Sequence, residues 1–489
     1  MQDRIQNYPL AVDLDRTFIR SDLLHEMFAS CFVRSPVKAL IALLTLRKGI
    51  AAFKRALFDA HSIDFADLPV REDFAVFLQE QLTNGREICL VTAADQRVAD
   101  AVRASYGLFN RAFGSNGSIN LKGAAKLALL QHQFPDGFAY AGDSAADLQV
   151  WTGSRAAIPV GISDDVRKKL AEQNSSIERE FFQKPVRAID WLRCLRLHQW
   201  TKNFLIFLPL MLSHSFDQAS FALAMLAFVL MGMLASGTYI INDLADISAD
   251  RAHATKRFRP IASGTISALH ALIASLVLIT SAICLTTFIS PLLTLTFVLY
   301  LVSTLAYALK LKTIAFLDVF VLGWLYTLRL LAGAAAVAVS PSQWLLMFAF
   351  FFFLSLSLVK RNAEIVKAAE KWASCSDRST ARRESRLIKG RGYRISDEPL
   401  TLAFGVGTGL AATLILSMYV ALDMQPMGAY HHPELLFWIV LAILLWLMRV
   451  WLLSHRGEMH DDPIIFAIRD PASLILGLVV AAIFASATL

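Results

Sequence analysis

The stretch GTYIINDLADISADRAHATKRFRPIASG, residues 237–264, places a set of acidic side chains directly after an apolar segment. The polar members of this set are Asn242, Asp243, Asp246 and Asp250. If the stretch is helical, their spacing gathers them toward one face. Carboxylates at the end of a membrane helix are costly unless something binds them, and clustered carboxylates suit Mg²⁺ bridged to a substrate's phosphates. The stretch therefore predicts a magnesium and phosphate site, the alternative being a solvated acidic helix end.

Basic residues follow the acidic set closely along the chain. Lys256, Arg257 and Arg259 are predicted to meet the same phosphates, because ammonium and guanidinium groups pair with phosphate oxygens. The alternative is that these residues belong to a basic loop that only sets the membrane topology.

The composition separates the chain into a soluble part and a membrane part. Of its 489 residues 56% are apolar, and the mean hydropathy is +0.50. The apolar excess begins near residue 203, whereas residues 1–190 have the composition of a soluble protein. The net charge of +7 lies mostly in short loops between apolar runs, which indicates membrane topology and no nucleic-acid partner. The five cysteines include no CxxC pair, so neither a disulfide framework nor a zinc site is predicted.

Nine apolar segments are candidates for membrane-spanning helices. They are residues 203–216, 219–241, 267–288, 291–309, 314–338, 342–359, 401–421, 434–453 and 471–488. Lysine and arginine are confined to alternate connections, including residues 242–266. By the positive-inside rule, these connections and the N-terminal region are predicted to be cytoplasmic. The C-terminus is then predicted to lie outside a plasma membrane of bacterial type.

The N-terminal region begins with a short predicted strand that ends in two carboxylates. Residues 8–17 read YPLAVDLDRT and contain Asp13 and Asp15. Residues two apart on a strand point the same way, so one carboxylate can attack a phosphoryl group while the other handles the leaving-group proton. A second predicted strand, EICLVT, ends at Thr92, whose hydroxyl can bind a phosphate oxygen.

Two further segments complete this pattern. The segment AYAGDSAAD is a third predicted strand that ends with Asp143 and Asp147, which can complete a Mg²⁺ site with Asp13. Between the second and third strands, Lys126 opens a helical run and is predicted to neutralise the phosphoryl group. Lys122 is the alternative for that lysine.

These four motifs, in this order over about residues 8–165, resemble the haloacid-dehalogenase phosphatase superfamily. The resemblance implies a Rossmann-like α/β domain. It also implies roles for the motif residues: Asp13 as nucleophile, Asp15 as general acid/base, Thr92 and the lysine as phosphate ligands, and Asp143 with or without Asp147 as metal ligands.

Two flanking segments have no motif of their own. Residues 21–76 are helix-rich, with basic and apolar residues mixed, and lie where the superfamily inserts a small cap. The alternative for this stretch is an amphipathic helix lying on lipid. Residues 171–200 form a linker, and the adjoining run up to Lys202 combines aromatic and basic residues as expected at a membrane interface.

Ionisable residues also occur inside or beside the predicted spans. Asp318 and Arg329 lie within the fifth span, and such groups are functional candidates by default. For Arg329 the alternative is pairing with a carboxylate or a backbone carbonyl inside the bundle. Three more candidates are predicted at the same membrane face: Tyr307, Lys312 and Lys360.

From about residue 190 to the end, the chain resembles the UbiA superfamily of membrane transferases. Residues 242–250 match its NDxxDxxxD motif position by position. The resemblance implies nine helices around a cytoplasm-facing cavity. Most members carry a second motif, DxxxD, but this chain has only Asp318, with leucine at position 322. This departure argues against an ordinary aromatic prenyltransferase.

Four stretches are similar to the decaprenyl-phosphate phosphoribosyltransferase branch of that superfamily: residues 197–203, 238–243, 318–333 and 355–361. In that branch a polyprenyl phosphate attacks C1 of phosphoribosyl pyrophosphate. The resemblance implies that the three aspartates hold Mg²⁺ on the pyrophosphate, while nearby cations, Lys256, Arg257 and Lys312 among them, stabilise the leaving group.

Together these patterns predict an α/β phosphatase-like domain at 1–170, a linker at 171–200 and an all-α bundle of nine transmembrane helices at 201–489. The predicted function is transfer of 5-phosphoribose to a polyprenyl phosphate, followed by removal of the 5-phosphate. One alternative is prenyl transfer from a prenyl diphosphate to a small acceptor. Another is a membrane transporter with a regulatory phosphatase-like domain. The sequence does not assign an oligomeric state.

Overall fold

The computed structural model describes residues 8–60, 64–116, 120–173, 175–214, 217–373, 391–426, 428, 430–459 and 463–488. The chain divides into two compact units. Unit 1 comprises Met1–Arg196 and Tyr239–Val277, and unit 2 comprises Leu197–Thr238 and Leu278–Leu489. Most of the aspartate stretch is thus grouped with the N-terminal region, whereas the sequence suggests a division only at the linker.

Unit 1 is built on a parallel five-stranded sheet. Its strands are β1 (Leu10–Val12), β2 (Ile88–Asp95), β3 (Arg111–Ser115), β4 (Ala139–Gly142) and β5 (Ala156–Pro159). They are arranged in the order β3-β2-β1-β4-β5, and every neighbouring pair is parallel. All carboxyl ends therefore meet at one edge, which is where ligand sites form in such sheets. The predicted Rossmann-like α/β fold is confirmed.

Helices accompany the strands of unit 1. They are α1 (Leu23–Arg34), α2 (Pro36–Leu44), α3 (Ile50–Ala60), α4 (Glu72–Thr83), α5 (Gln96–Tyr106), α6 (Ala124–Gln133), α7 (Leu148–Thr152), α8 (Asp164–Glu172) and α9 (Ala188–Leu195). The first three lie in the predicted cap insertion, and Asp22 caps α1 by accepting a 3.1 Å hydrogen bond from the His25 amide. Alternate residues of β1 belong to different apolar clusters, because successive side chains point to opposite faces of the sheet.

The remaining helices are α10 (Leu208–Leu212), α11 (Gln218–Ala245), α12 (Ile247–Arg251), α13 (Ala268–Thr287), α14 (Pro291–Leu309), α15 (Leu317–Ala336), α16 (Gln343–Ala373), α17 (Glu398–Tyr419), α18 (Leu436–His455), α19 (Pro463–Arg469) and α20 (Pro471–Thr488). Within the described ranges, eight helical segments are long and apolar enough to cross a membrane. They correspond to α11, α13 to α18 and α20. The predicted all-α membrane region is confirmed.

The span predicted at 203–216 is the exception. Its described residues form the end of a 3₁₀ helix, Leu197–Phe207, and then the five-residue α10, which is too short to cross a bilayer. Pro209 lies in the first turn of α10, where the missing amide hydrogen costs nothing, and a new helix begins there. The sequence thus predicts nine spans, while eight helices within the described part of the chain have the length and composition of a span.

The acidic set is not carried by one continuous helix. The membrane helix α11 ends at Ala245, Asp246 has φ −101° and ψ 14°, and α12 begins at Ile247. Asparagine and aspartate compete with the helical backbone through their own side chains, which favours an interruption at such residues. The predicted clustering on one helical face is thus replaced by two helices, the long α11 and the short α12, that meet at a bend.

Helix α1 contacts the connection between α11 and α13 within unit 1. Glu26 forms a buried two-point ion pair with Arg251, at 2.6 and 2.8 Å. Arg34 donates a 2.7 Å hydrogen bond to the carbonyl of Ala245, the last residue of α11. The cap and the aspartate connection are therefore held together by a buried ion pair and by the hydrogen bond from Arg34, whose side chain is exposed.

We expect Glu26→Gln to destabilise unit 1 by about 3–5 kcal/mol, because it leaves the Arg251 guanidinium buried without a countercharge. In the full-length protein in detergent, the thermal midpoint should fall by about 10 °C. Glu80→Gln is the matched control, since Glu80 and Arg179 form an exposed pair at 3.9 Å that contributes at most about 1 kcal/mol. Equal midpoints for the two variants would show that the buried pair does not stabilise the fold.

Candidate functional site

Three carboxylates of unit 1 converge at the carboxyl ends of neighbouring strands. Asp13 directly follows β1, and Asp143 directly follows β4. With Asp147 they present oxygens that all lie within 4.8 Å of one another, and no other such group of three metal-ligating side chains is found among the described residues. Hard oxygen donors at this spacing fit Mg²⁺.

The three carboxylates differ in how far protein groups already occupy them. Asp147 accepts a 2.6 Å hydrogen bond from the Tyr140 hydroxyl on one oxygen. Its other oxygen accepts bonds from the Ser144 amide and hydroxyl, at 3.0 and 2.8 Å. Both oxygens of Asp147 are therefore engaged, and it orients the loop that carries Asp143. The oxygens of Asp13 are engaged too, since one accepts a 2.8 Å hydrogen bond from the Leu14 amide and the other contacts Lys126. Asp143 is thus the least occupied of the three carboxylates.

The structure distinguishes the two candidate lysines. The Lys126 ammonium lies 2.8 Å from an oxygen of Asp13 and donates a 2.8 Å hydrogen bond to the Tyr140 hydroxyl. Lys126 is buried, whereas Lys122 is exposed at the rim of the same cavity. Lys126 is thus the lysine in direct contact with the predicted nucleophile.

Asp15 has the electrostatic character of an acid/base group. Burial, together with the nearby negative charge of Asp22, raises its pKa to about 7, although the Leu23 amide donates a 2.7 Å hydrogen bond that opposes the rise. Burial and the charges of Asp13 and Asp147 raise the pKa of Asp143 to about 8. A carboxyl group with a pKa near neutrality can give and take a proton at physiological pH.

The cavity above these groups measures 270 Å³ and is lined partly by the cap. Lys54 of α3 enters it and donates a 2.6 Å hydrogen bond to the carbonyl of Ala93. The cap also contributes apolar side chains, namely Leu24, Met27 and Ile50. Thr92 is buried beneath the cavity, where its hydroxyl accepts a 3.1 Å hydrogen bond from the Ala94 amide. Sequence analysis missed Lys54, whose only signal is a lysine within a cap helix of mixed apolar and charged residues.

In the aspartate stretch, two of the three carboxylates converge on one cation. Arg259 lies 3.2 Å from Asp243 and 2.6 Å from Asp250, and both carboxylates are buried. Arg196 forms a second ion pair with Asp243. The carboxylate oxygens of Asp243 and Asp250 are thus arranged around positive charge, and with Asp246 they do not form a group as close as that of the N-terminal carboxylates. As donors they are of the type that Mg²⁺ prefers.

The other predicted residues of this stretch are more accessible. Asn242 and Asp246 are half-buried. Lys256 and Arg257 are exposed, and the Arg257 guanidinium lies over the ring of Phe258. The arginines that actually contact the carboxylates include Arg196, which the sequence analysis did not single out because it lies more than forty positions away.

In unit 2 the ionisable residues inside the bundle are engaged with protein groups. Asp318 pairs with Arg361 at 2.8 Å and accepts a 2.7 Å hydrogen bond from the Tyr393 hydroxyl. Asp318 and Arg361 are both completely buried. Arg391, two residues before Tyr393, donates a 2.9 Å hydrogen bond to the Tyr307 hydroxyl. Protein groups therefore neutralise and bind the Asp318 carboxylate, as a buried carboxylate requires.

Arg329 is bound by protein groups inside the bundle, which is the alternative to a substrate role that the sequence analysis gives. Its guanidinium donates hydrogen bonds to the Asn203 side chain, the Leu325 carbonyl and the Tyr300 hydroxyl, at 3.0, 2.9 and 2.8 Å. These partners come from inside the bundle and satisfy a charge that would otherwise be costly there. A role of Arg329 in substrate binding stays a prediction.

Lys202 lies beside an apolar groove of 370 Å³ in unit 2. Its ammonium is 5.9 Å from the ring centre of Tyr326, and the groove continues between aromatic and aliphatic side chains. They include Phe204, Leu208, Phe352, Phe353 and Trp446. An apolar groove with a cation at its margin suits a lipid tail with an anionic head. Lys312 and Lys360 are half-buried elsewhere in unit 2.

Comparison with known proteins identifies the family of the membrane half. A model of the UbiA prenyltransferase family matches residues 204–468. An uncharacterized protein of Sinorhizobium fredii is 42% identical over 98% of this chain and 91% of its own length. Nodulation protein NoeC of Azorhizobium caulinodans is 32% identical over 60% of this chain and 93% of its own length. The decaprenyl-phosphate phosphoribosyltransferase of Mycobacterium tuberculosis is 34% identical over 36% of this chain and 59% of its own length.

The family match covers more than half of the chain, and the relative from Sinorhizobium fredii aligns with both of its parts. The N-terminal part has a parallel five-stranded sheet and the cluster of Asp13, Asp143 and Asp147. The chain therefore belongs to the UbiA prenyltransferase family of membrane proteins and carries an α/β domain with a parallel sheet at its N-terminus.

Proposed function

We propose that this protein is a magnesium-dependent membrane transferase that moves 5-phosphoribose from phosphoribosyl pyrophosphate to a polyprenyl phosphate. The N-terminal domain then removes the 5-phosphate from the lipid-linked product. The observation that carries the proposal is that unit 1 contains both sets of carboxylates. Helix α1 joins them, because the Leu23 amide bonds to Asp15 while Glu26, three residues further along the same helix, pairs with Arg251.

The contacts of Asp318 favour phosphoribosyl transfer over prenyl transfer. Ionisation of a prenyl diphosphate between two metal-loaded motifs needs a second cluster of carboxylates. Here Asp318 is bound to Arg361 and Tyr393, and position 322 is leucine. The similarity to a decaprenyl-phosphate phosphoribosyltransferase supports the same choice. Prenyl transfer to a small acceptor remains the second candidate, because it is the reaction for which the family is named.

In the transfer step, an oxygen of the polyprenyl phosphate forms a bond to C1 of the ribose, and the bond from C1 to the pyrophosphate oxygen breaks. Bound Mg²⁺ would neutralise charge on the departing pyrophosphate. Asp243, Asp246 and Asp250 would hold the ion. Arg196 and Arg259, which contact these carboxylates, are positioned to exchange them for pyrophosphate oxygens.

In the hydrolytic step, a carboxylate oxygen of Asp13 bonds to phosphorus as the ester bond breaks, and Asp15 donates its proton to the departing ribose oxygen. Asp15 then removes a proton from the water that releases phosphate from Asp13. Lys126 holds the Asp13 carboxylate through its 2.8 Å contact. Bound Mg²⁺, held by Asp13 and Asp143, would offset the charge of the incoming phosphoryl oxygens.

The proposal extends to location. The distribution of lysine and arginine supports a cytoplasmic N-terminal domain, so both sites would face the compartment that holds soluble phosphoribosyl pyrophosphate. A C-terminus outside further requires that residues 203–216 cross the bilayer as a ninth segment, since the eight helices alone would return the chain to the cytoplasm. Lys202 and its apolar groove are proposed to receive the polyprenyl phosphate. The transporter alternative gains no support, because the family match is to transferases.

The deciding experiment uses full-length protein in detergent with Mg²⁺, polyprenyl phosphate and phosphoribosyl pyrophosphate that carries ¹⁴C in the ribose. The label should enter the organic phase, and chelation of Mg²⁺ should prevent this. Phosphate should be released in step with the lipid product. If no label enters the lipid phase while a labelled prenyl diphosphate is consumed with a small acceptor, phosphoribosyl transfer is refuted in favour of prenyl transfer.

We expect Lys126→Met to lower the hydrolysis of a soluble phosphomonoester by roughly 10²–10³-fold, because the charge that holds Asp13 and faces the phosphoryl group is lost. Lys122→Met, an exposed lysine on the same rim, is the matched control and should change the rate less than about threefold. The measurement is the initial rate of p-nitrophenyl phosphate hydrolysis at saturating Mg²⁺. A larger loss with Lys122→Met would assign the role to that lysine instead.

A further inference from the structure

Helix α2 of the cap presents its large apolar side chains outward. Val37, Leu40, Ile41 and Leu44 recur at the spacing of one helical face and are 67, 52, 58 and 62% exposed, respectively. Ala39 and Ala42, on the opposite face, are buried. The helix therefore packs on the protein through small residues and leaves its most apolar face uncovered by any described residue. A continuous face of this kind marks an interaction surface.

The charge around this face is uniformly positive. Residues 27–58 contain six lysines and arginines and neither aspartate nor glutamate. Lys38, Arg47 and Lys48 are exposed beside the apolar face. Apolar side chains bordered by basic residues are the combination that binds the interface of an anionic bilayer.

Contacts within unit 1 fix this helix close to the ends of two membrane helices. Arg34, two residues before α2, donates its hydrogen bond to Ala245 at the end of α11. Arg34 is the last residue of α1, and His25 lies in the first turn of that helix. The His25 ring is 3.5 Å from the hydroxyl of Ser267, which directly precedes α13. Both α11 and α13 have the length and composition of membrane spans. If they cross a bilayer, the start of α2 lies close to its surface.

We propose that α2 and the turn at Thr45–Lys48 are an interfacial anchor whose apolar face lies in the headgroup region of an anionic bilayer. The occupant is lipid, because the exposed face is apolar, its border is basic and its neighbours in unit 1 are the ends of membrane helices. Ile50, at the end of this surface, also lines the cavity that contains Asp13. The anchor thus brings that cavity to the membrane surface, where lipid-linked esters of the kind proposed above reside.

The test is a spin-label measurement on the full-length protein in nanodiscs of phosphatidylcholine and phosphatidylglycerol. A nitroxide is attached at Leu40→Cys after Cys284 and Cys375 are replaced by serine. Val76→Cys is the matched control, since Val76 is a similarly exposed apolar residue on α4. The label at position 40 should collide more with oxygen than with a water-soluble nickel chelate, and the label at 76 should show the reverse.

Two results would overturn the proposal. One is a label at position 40 that is as accessible to the nickel chelate as the label at 76. The other is a label shielded from both reagents and immobilised, which would indicate a protein partner or a second copy. A second pair of variants separates burial in lipid from a local folding effect. A label at Ile41→Cys should lose its preference for oxygen when Leu40 and Leu44 are both changed to glutamate, while the thermal midpoint stays within a few degrees.

Discussion

Asp13→Asn is expected to abolish phosphate release from the lipid product, with a loss on the order of 10⁴-fold or more, because the amide oxygen cannot form the bond to phosphorus. The variant should still make the lipid, which would accumulate with its 5-phosphate attached. The measurement is thin-layer separation of the ¹⁴C-labelled lipid before and after treatment with an added phosphatase. Wild-type product should be unchanged by that treatment, and the variant's product should shift.

The structure predicts that this variant remains folded. Burial, against the opposing effect of Lys126, raises the pKa of Asp13, and the charge of Asp147 adds to the rise. Removing one of these closely spaced negative charges relieves repulsion, so the thermal midpoint without metal should not fall. Asp136→Asn, at an exposed turn, is the control and should leave both activities unaltered. Unaltered phosphate release by Asp13→Asn would refute Asp13 as the nucleophile.

Asp246→Asn is expected to reduce transfer of labelled ribose into lipid by roughly 10³-fold, because it removes a charged oxygen from the proposed magnesium site. Among the three aspartates it is the most informative one to change. Asp243 and Asp250 are buried in ion pairs with arginine, so their loss would also destabilise unit 1. Asp246 is half-buried at the bend between α11 and α12, where asparagine has an equal preference.

The matched control lies at the opposite end of the same membrane helix. Asp217 is exposed and accepts a 2.9 Å hydrogen bond from the Ser220 amide, which asparagine can also accept. Asp217→Asn should transfer label at close to the wild-type rate. The Asp246→Asn protein should still hydrolyse p-nitrophenyl phosphate, because the N-terminal carboxylates are intact. Full transfer activity in Asp246→Asn would refute the proposed metal site, and loss of both activities would indicate misfolding.

Several features of the N-terminal site were predictable because they depend on short-range order. Asp13 and Asp143 directly follow buried apolar strands, and parallel strands bring such positions to one edge of the sheet. Lys126 was one of two candidates, since Lys122 lies just before α6 and Lys126 lies in its first turn, and only packing decides which is buried against Asp13. Lys54 was missed, because its approach to the cavity depends on how the cap folds back over the sheet.

The membrane part shows the same limit. Apolar segments of sufficient length predict spans irrespective of their neighbours, so eight of the nine were located correctly. The pairing of Asp318 with Arg361, and of Asp243 with Arg196, joins residues 43 and 47 positions apart. Such pairs have no periodic signal in the sequence, because they form between helices that are packed together by other residues.

The sequence by itself determined the kinds of elements and the chemistry that each carries: a strand that ends in paired aspartates, membrane helices set by apolar length, and NDxxDxxxD after one of them. Periodicity and composition are local properties, so they can be read before the chain folds. Only the tertiary structure decided which charges neutralise one another. It buried Arg329 and Asp318 among protein partners, set Arg259 between Asp243 and Asp250, and linked the cap to the aspartate connection through Glu26 and Arg251. Ion pairs of this kind depend on three-dimensional proximity and exclusion of water, which no stretch of sequence specifies alone.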